Sequence, residues 1–179
     1  MQPIDIIAQI FGIIGMIIII LSFQAKQNKF FFLMQGVGSF MFFINFLLIG
    51  AYAGALFNLT NLIRGLLFSK NAKQPWKLAL TELLYTGCLG FSLIFIWGDA
   101  WQIFLSVLPC AALLIMSVIM WKGNGRVIRY AQVSFMSPAW IVHNIFNFTL
   151  GGLVCESFNM VSSVIALIRY RKDGFKEDN

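Results

Sequence analysis

Charge is what this chain has least of. Only 11% of its 179 residues are Asp, Glu, Lys or Arg, where a soluble globular chain carries about 25%, so it cannot coat a water-facing surface. Histidine occurs once and acidic residues seven times. No set of His, Cys and acids stands at ligand spacing for metal catalysis, and no phosphate loop is present for nucleotide use. The three cysteines (Cys88, Cys110, Cys155) are odd in number and far apart. They indicate neither a disulfide framework nor a CxxC site, and read as small apolar residues. Ser39 and His143, taken as a serine–histidine pair, lack a flanking motif. The last apolar run holds no lysine for a retinal Schiff base. Neither an enzyme nor a cofactor or metal is expected. The N-terminus lacks the basic segment of a cleavable signal and Asp5 precedes the first apolar run, so that run is expected to stay as helix one.

Apolar length takes the place of charge. Hydrophobic residues make up 59% of the chain and aromatic residues 16%. A spanning helix needs about 20 apolar residues. Seven spans are predicted, at 4–24, 30–49, 53–69, 78–97, 101–121, 131–150 and 153–170. The chain therefore reads as all-α and polytopic, a single membrane domain over 1–179. Its net charge of +6 does not point to nucleic acid, because position decides otherwise. The thirteen Lys and Arg fall in four clusters, at 26–29, 64–77, 122–129 and 169–176, separated by apolar runs. With seven spans all four clusters land on one side, leaving Asp5 and Asp99 opposite with no basic residue. The positive-inside rule then places the N-terminus outside and the C-terminus in the cytoplasm. Membrane lipid is the expected partner, and the sequence leaves room for a homo-oligomer.

The spans fall into two groups of three about a linker. N-L-I-R (Asn61 to Arg64) ends the third and A-L-I-R (Ala166 to Arg169) the seventh, each before basic residues. Asn45, ahead of the Gly50 turn, then corresponds to His143, ahead of Gly151-Gly152, taken as the joint between the last two helices. Asn45 precedes Arg64 by 19 residues and His143 precedes Arg169 by 26. The difference is close to two helical turns, which keeps the same faces in register. A 3+1+3 plan follows, with repeats at 4–69 and 101–170, a linker helix at 78–97 and a cytoplasmic tail at 171–179. Parallel repeats about an axis along the membrane normal are a transporter plan.

Polar groups inside an apolar frame are expensive unless they face a partner or a cavity. Asn58 and Asn61 share a helix face. Asn159, Ser162, Ser163 and Ala166 form a comparable stripe on the last helix. His143, Asn144 and Asn147 cannot all point to lipid, and Trp140 stands one turn before His143. These residues, from Asn58 to Ser162, are the candidate solute contacts. Histidine is the side-chain type whose charge its surroundings can switch around neutrality, so His143 suits proton coupling or pH gating. Glu156, about one turn into the last helix, is a candidate for an outer mouth or a proton relay. Glu82 is expected to pair with an inner-face base. Arg64 and Arg169 end helices at the inner face, either as snorkelling anchors or as a paired gate. Pro109 and Pro138 interrupt helical hydrogen bonding and serve as hinges or as fixed kinks. Interhelical hydrogen bonds, worth on average about 0.6 kcal/mol, are the plain alternative for each polar pair.

The residues W-I-V-H-N (Trp140 to Asn144), G-G-x-x-x-E (Gly151 to Glu156) and I-R-Y (Ile168 to Tyr170) closely resemble the YgjV-type family of bacterial inner-membrane proteins. G-A-Y-A-G-A (Gly50 to Ala55) and N-L-I-R support the likeness, which covers nearly the whole chain. More remotely, the helix order is similar to the SWEET and PQ-loop transporters. That resemblance implies an asparagine on the third helix of each repeat facing a cavity, here Asn58 or Asn61 and Asn159. It also implies hinge prolines. The first two helices offer only Gly12, Gly15, Gly36 and Gly38 for these, and the PQ dipeptide is missing from the diagnostic loops. The expected function is movement of a small polar solute by alternating access in the inner membrane. A lipid-interacting or receptor-like protein of the same fold is the alternative.

Overall fold

Helices in lipid gain little from hiding apolar surface from each other, so close packing and polar contacts must assemble them. The computed structural model describes residues 3–50, 52–71, 73–95, 98–146, 150–172 and 174–175. Asn147, the last residues of the predicted tail and the side chain of Asp5 lie outside that description. The helices are α1 (Pro3–Ser22), α2 (Asn28–Leu48), α3 (Tyr52–Ser69), α4 (Pro75–Phe95), α5 (Ala100–Lys122), α6 (Gly125–Ala131), α7 (Ser137–Phe146) and α8 (Leu150–Arg169). A π-helical stretch, Gln132–Met136, joins α6 to α7 without a break. The described backbone is thus all-α, in seven rods. Among the described residues, four helical segments are long and apolar enough to cross a membrane: Asn28–Leu48, Pro75–Ile94, Ala100–Lys122 and Gly151–Arg169.

Local chemistry sets the helix ends. Asp99 accepts from the amides of Trp101 and Gln102 at 3.0 and 3.1 Å, satisfying two donors at the start of α5. Asn124 does the same for α6, accepting from Arg126 and Val127, both at 3.1 Å. Between them Gly123 ends α5 at φ 74°, a left-handed conformation suited to glycine. One expected boundary moves. Gly151 and Gly152 were the predicted joint, but they lie inside the first turn of α8. A Cβ on Gly152 would stand 2.5 Å from Asn144 Oδ1, so this glycine permits close approach of α7 and α8.

In the first half α2 packs between α1 and α3. The contact with α3 is backbone to backbone: a Cβ on Gly65 would fall 2.6 Å from Gly36 Cα. With α1, a Cβ on Gly15 would fall 2.9 Å from the Gly38 carbonyl oxygen. These glycines serve packing of the kind membrane helices favour. In the second half the α6–α7 rod packs between α5 and α8. Helix α4 touches α3 and α5, and α1 touches α8, which closes the ring.

The basic end is tied most firmly. A chain of aromatic contacts runs Phe23–Phe31–Phe32–Phe68, with centroids 5.4, 5.5 and 5.9 Å apart. Asn28 Nδ2 donates to the Gly123 carbonyl. Tyr170 OH donates to the Gln24 carbonyl at 2.9 Å, and Arg126 Nη2 to that of Arg171 at 3.2 Å. Three of the four basic clusters are thereby gathered at one end of the bundle.

Candidate functional site

The site begins with a proline. Pro138 has no N–H to donate back along its helix, and directly before it the backbone widens into the π-helical stretch. Spacing of i to i+5 in such a stretch brings Gln132 and Ser137 onto one face, where Gln132 Nε2 donates to Ser137 Oγ at 2.8 Å. Both are buried. Ser137 Oγ in turn donates to Glu156 Oε2 at 2.7 Å, and Gln132 Nε2 reaches the same oxygen at 3.4 Å. From one turn further along α8, Asn159 Nδ2 donates to Glu156 Oε1 at 3.3 Å. At a rise of 1.5 Å per residue Glu156 lies about 9 Å along α8 from its first residue, Leu150. No Lys or Arg among the described residues pairs with it.

The polar file continues down α8 into the contact with α1. Ser162 Oγ donates to the Ile20 carbonyl at 2.7 Å, while Gln24 Nε2 donates to Ser162 O at 2.6 Å and Oγ at 2.9 Å. Three enclosed atoms of the file, Gln24 Oε1, Asn159 Oδ1 and Ser163 Oγ, have no hydrogen-bond partner. Buried polar atoms are normally satisfied, so each such exception calls for an explanation.

A second group belongs to α5 and α7. His143 Nδ1 donates to the Leu105 carbonyl at 2.7 Å. Leu105 is four residues before Pro109, and its carbonyl is the one that a proline leaves without an intrahelical donor. The histidine supplies what Pro109 removes, and the contact requires its proton on Nδ1. Trp140 packs edge-on to the His143 ring at 5.4 Å. The first half repeats the arrangement: Asn45 Nδ2 donates to the Ala8 carbonyl at 2.7 Å, and a Cβ on Gly12, four residues on, would sit 3.2 Å from that Nδ2.

A third group joins α3, α4 and α5. Arg64 is only 4% exposed. It donates to Ser117 Oγ at 3.2 Å and to Asn61 Oδ1 at 3.1 Å, and lies over the Tyr85 ring at 5.5 Å. Tyr85 OH also donates to Asn61 Oδ1. Glu82 Oε1 nearby is enclosed without a hydrogen-bond partner.

The sequence candidates thus separate. Glu156, Asn159 and Ser162 share one file, while Asn61 sits with Arg64 and away from it. Asn58 Nδ2 donates back to Gly54 O of its own helix at 2.9 Å. Asn144 is buried against Gly152. Arg169 is exposed and does not meet Arg64. Gln132, Ser137, Gln24, Tyr85 and Ser117 were not singled out in the sequence. Pro138 alone could have signalled the first two, since a proline within a helix displaces the hydrogen bonding before it. Among the described residues no three of His, Cys, Asp and Glu gather as a metal-binding group.

A model of the Imp-YgjV family, described as bacterial inner membrane protein, matches residues 6–174. Neither a curated protein nor a solved structure matches the chain.

Proposed function

The chain belongs to the Imp-YgjV family of bacterial inner membrane proteins, and for this member we propose movement of a small polar solute across that membrane by alternating access. The observation that carries the reading is the file Gln132–Ser137–Glu156–Asn159, buried except for a half-buried Glu156, with the enclosed Asn159 Oδ1 unpartnered beside it. Polar groups that only glue helices together end up satisfied, whereas a solute site keeps unsatisfied groups for its occupant. Ser162 and Gln24 extend the file toward the basic end.

Two halves of like plan support alternating access. Ala8 and Leu105 are each the sixth residue of the first helix in their half, and each carbonyl is capped by a side chain of the next rod, Asn45 or His143. With α4 as linker this favours a 3+1+3 repeat, as in the SWEET-type plan. The π-helical stretch before Pro138 and the proline in α5 are the hinge candidates. Glu156 and His143 are the groups available for proton linkage. The positive-inside distribution orients the N-terminus outward and the C-terminus to the cytoplasm. The role we assign needs no chemical step, cofactor or nucleic acid, only lipid and solute. The bonds of Asn45, Asn61 and His143 to fixed protein groups favour, for those residues, the structural reading of a non-transporting membrane protein.

The test is uptake of a mixed metabolite panel into proteoliposomes, read by mass spectrometry against empty vesicles and Asn159→Ala. Accumulation of one compound class by the native protein, reduced at least about tenfold by Asn159→Ala, is the expected result; a tenfold loss corresponds to about 1.4 kcal/mol, within reach of one or two hydrogen bonds. Absence of uptake by folded, inserted protein would move the assignment to the non-transporting reading.

A further inference from the structure

The hydrogen-bond count around Glu156 gives the site a sign. Gln132 has two N–H donors, spent on Ser137 and Glu156. Asn159 has two, spent on Glu156 and on Cys155 Sγ at 3.8 Å. Ser137 gives its only O–H to Glu156. Every donor of these three side chains is therefore used. Left over is an acceptor, Asn159 Oδ1, on a residue only 3% exposed. It belongs to the same amide group whose nitrogen bonds Glu156, so the two acceptors are close neighbours. Ser163, four residues on and on the same helix face, adds an enclosed hydroxyl.

Charge points the same way. Glu156 has no basic partner among the described residues, and a carboxylate at this depth is unfavourable without a counter-charge. An anionic ligand would meet a carboxylate, with the Ser163 hydroxyl as the one unspent donor. A sugar's hydroxyls could donate to these oxygens, but a sugar brings no charge to set against the carboxylate. A ligand that carries positive charge together with N–H donors satisfies both oxygens and neutralises the site.

We infer that the Glu156–Asn159 cluster binds a small organic cation of the primary-ammonium class, its N–H groups donating to the Glu156 carboxylate and Asn159 Oδ1. This deepens the transport reading and rests on the same cluster being the solute site.

The test is equilibrium binding of radiolabelled methylammonium to the purified full-length protein in detergent micelles, at one fixed pH. Unlabelled Na+ and tetramethylammonium serve as competitors. Expected are saturable binding by the native protein, about tenfold or greater loss in Glu156→Gln, and partial recovery in the charge-retaining Glu156→Asp. Tetramethylammonium, which has no N–H, should compete at least about tenfold less well than methylammonium. Each variant is checked for a single cooperative unfolding transition. Equal binding by folded Glu156→Gln would overturn the inference. So would Na+ displacing the label more strongly than unlabelled methylammonium, which would make this an inorganic-ion site. An absence of saturable binding by folded native protein would mean that Glu156 is neutralised by a proton only. Because no membrane is involved, the two readings fail separately. Methylammonium binding without uptake of any solute removes transport and leaves the site. Uptake of a neutral solute without methylammonium binding does the reverse.

Discussion

Arg129 and Arg169 look alike in the sequence, each a base of a basic cluster beside an apolar helix, yet one is 0% exposed and the other lies open. Arg129 donates to three carbonyls, those of Phe23 at 3.3 Å, Ala25 at 2.9 Å and Gly125 at 3.2 Å. Its guanidinium also lies 4.3 Å from the Phe31 ring centroid and 4.6 Å from that of Phe175. Two of those carbonyls follow the end of α1, where the helix dipole favours a cation. Replacing Arg129 with methionine should cost about 2–4 kcal/mol, since the freed carbonyls stay enclosed. Arg129→Lys should recover only part, having lost the planar fork. Arg169→Ala should leave the thermal midpoint in detergent nearly unchanged. Equal losses at the two positions would show that burial does not set their importance. The charge pattern was legible in the sequence because it depends only on spacing between apolar runs. The burial of Arg129 was not, because two of its carbonyl partners lie about a hundred residues away and carry no residue-type signature.

Pro109 shows how an element can hold a defect in place. The α5 helix continues through it from Ala100 to Lys122, and the carbonyl it orphans is taken by His143. If that exchange is the reason for the histidine, the two positions must be coupled. Alone, His143→Ala should cost about 1–3 kcal/mol by leaving the Leu105 carbonyl enclosed and unpaired. In a Pro109→Ala background a backbone N–H is restored to that carbonyl, and the same change should cost at least about 1 kcal/mol less. A double-mutant cycle on unfolding in detergent reads the coupling directly, and additive losses would refute it. Helix number and order were legible because apolar runs are long and separated by short turns, every second one basic. Both prolines could be read as interruptions too. Their consequences could not: whether a freed carbonyl is met by a histidine, or a helix widens to bring Gln132 onto Ser137, depends on which rod lies opposite. Likewise Gly152 serves the close approach of Asn144 rather than a turn.

At the scale of the whole molecule the ring is closed where α1 meets α8, and that seam is polar. Ser162 bonds the Ile20 carbonyl, and Gln24 reaches across to Ser162. An apolar seam between these two halves would have no directional bonds to break and remake, whereas three hydrogen bonds give it two distinguishable states. Interhelical bonds of this kind average about 0.6 kcal/mol each in membranes, so opening all three costs about 2 kcal/mol, which a bound solute can supply. If the halves rock about the Glu156 site, this seam must part during each cycle. Cysteines at 24 and 162, in a background without Cys88, Cys110 and Cys155, replace side chains that now touch at 2.9 Å and are therefore placed to be joined by oxidation or by a short bifunctional reagent. Joining them should leave methylammonium binding within about threefold of the reduced protein while reducing proteoliposome uptake at least about tenfold, with recovery on reduction of the disulfide. Undiminished uptake by fully joined protein would place the moving contact elsewhere, at the α3–α5 approach, where Arg64 and Ser117 hold the other side of the ring.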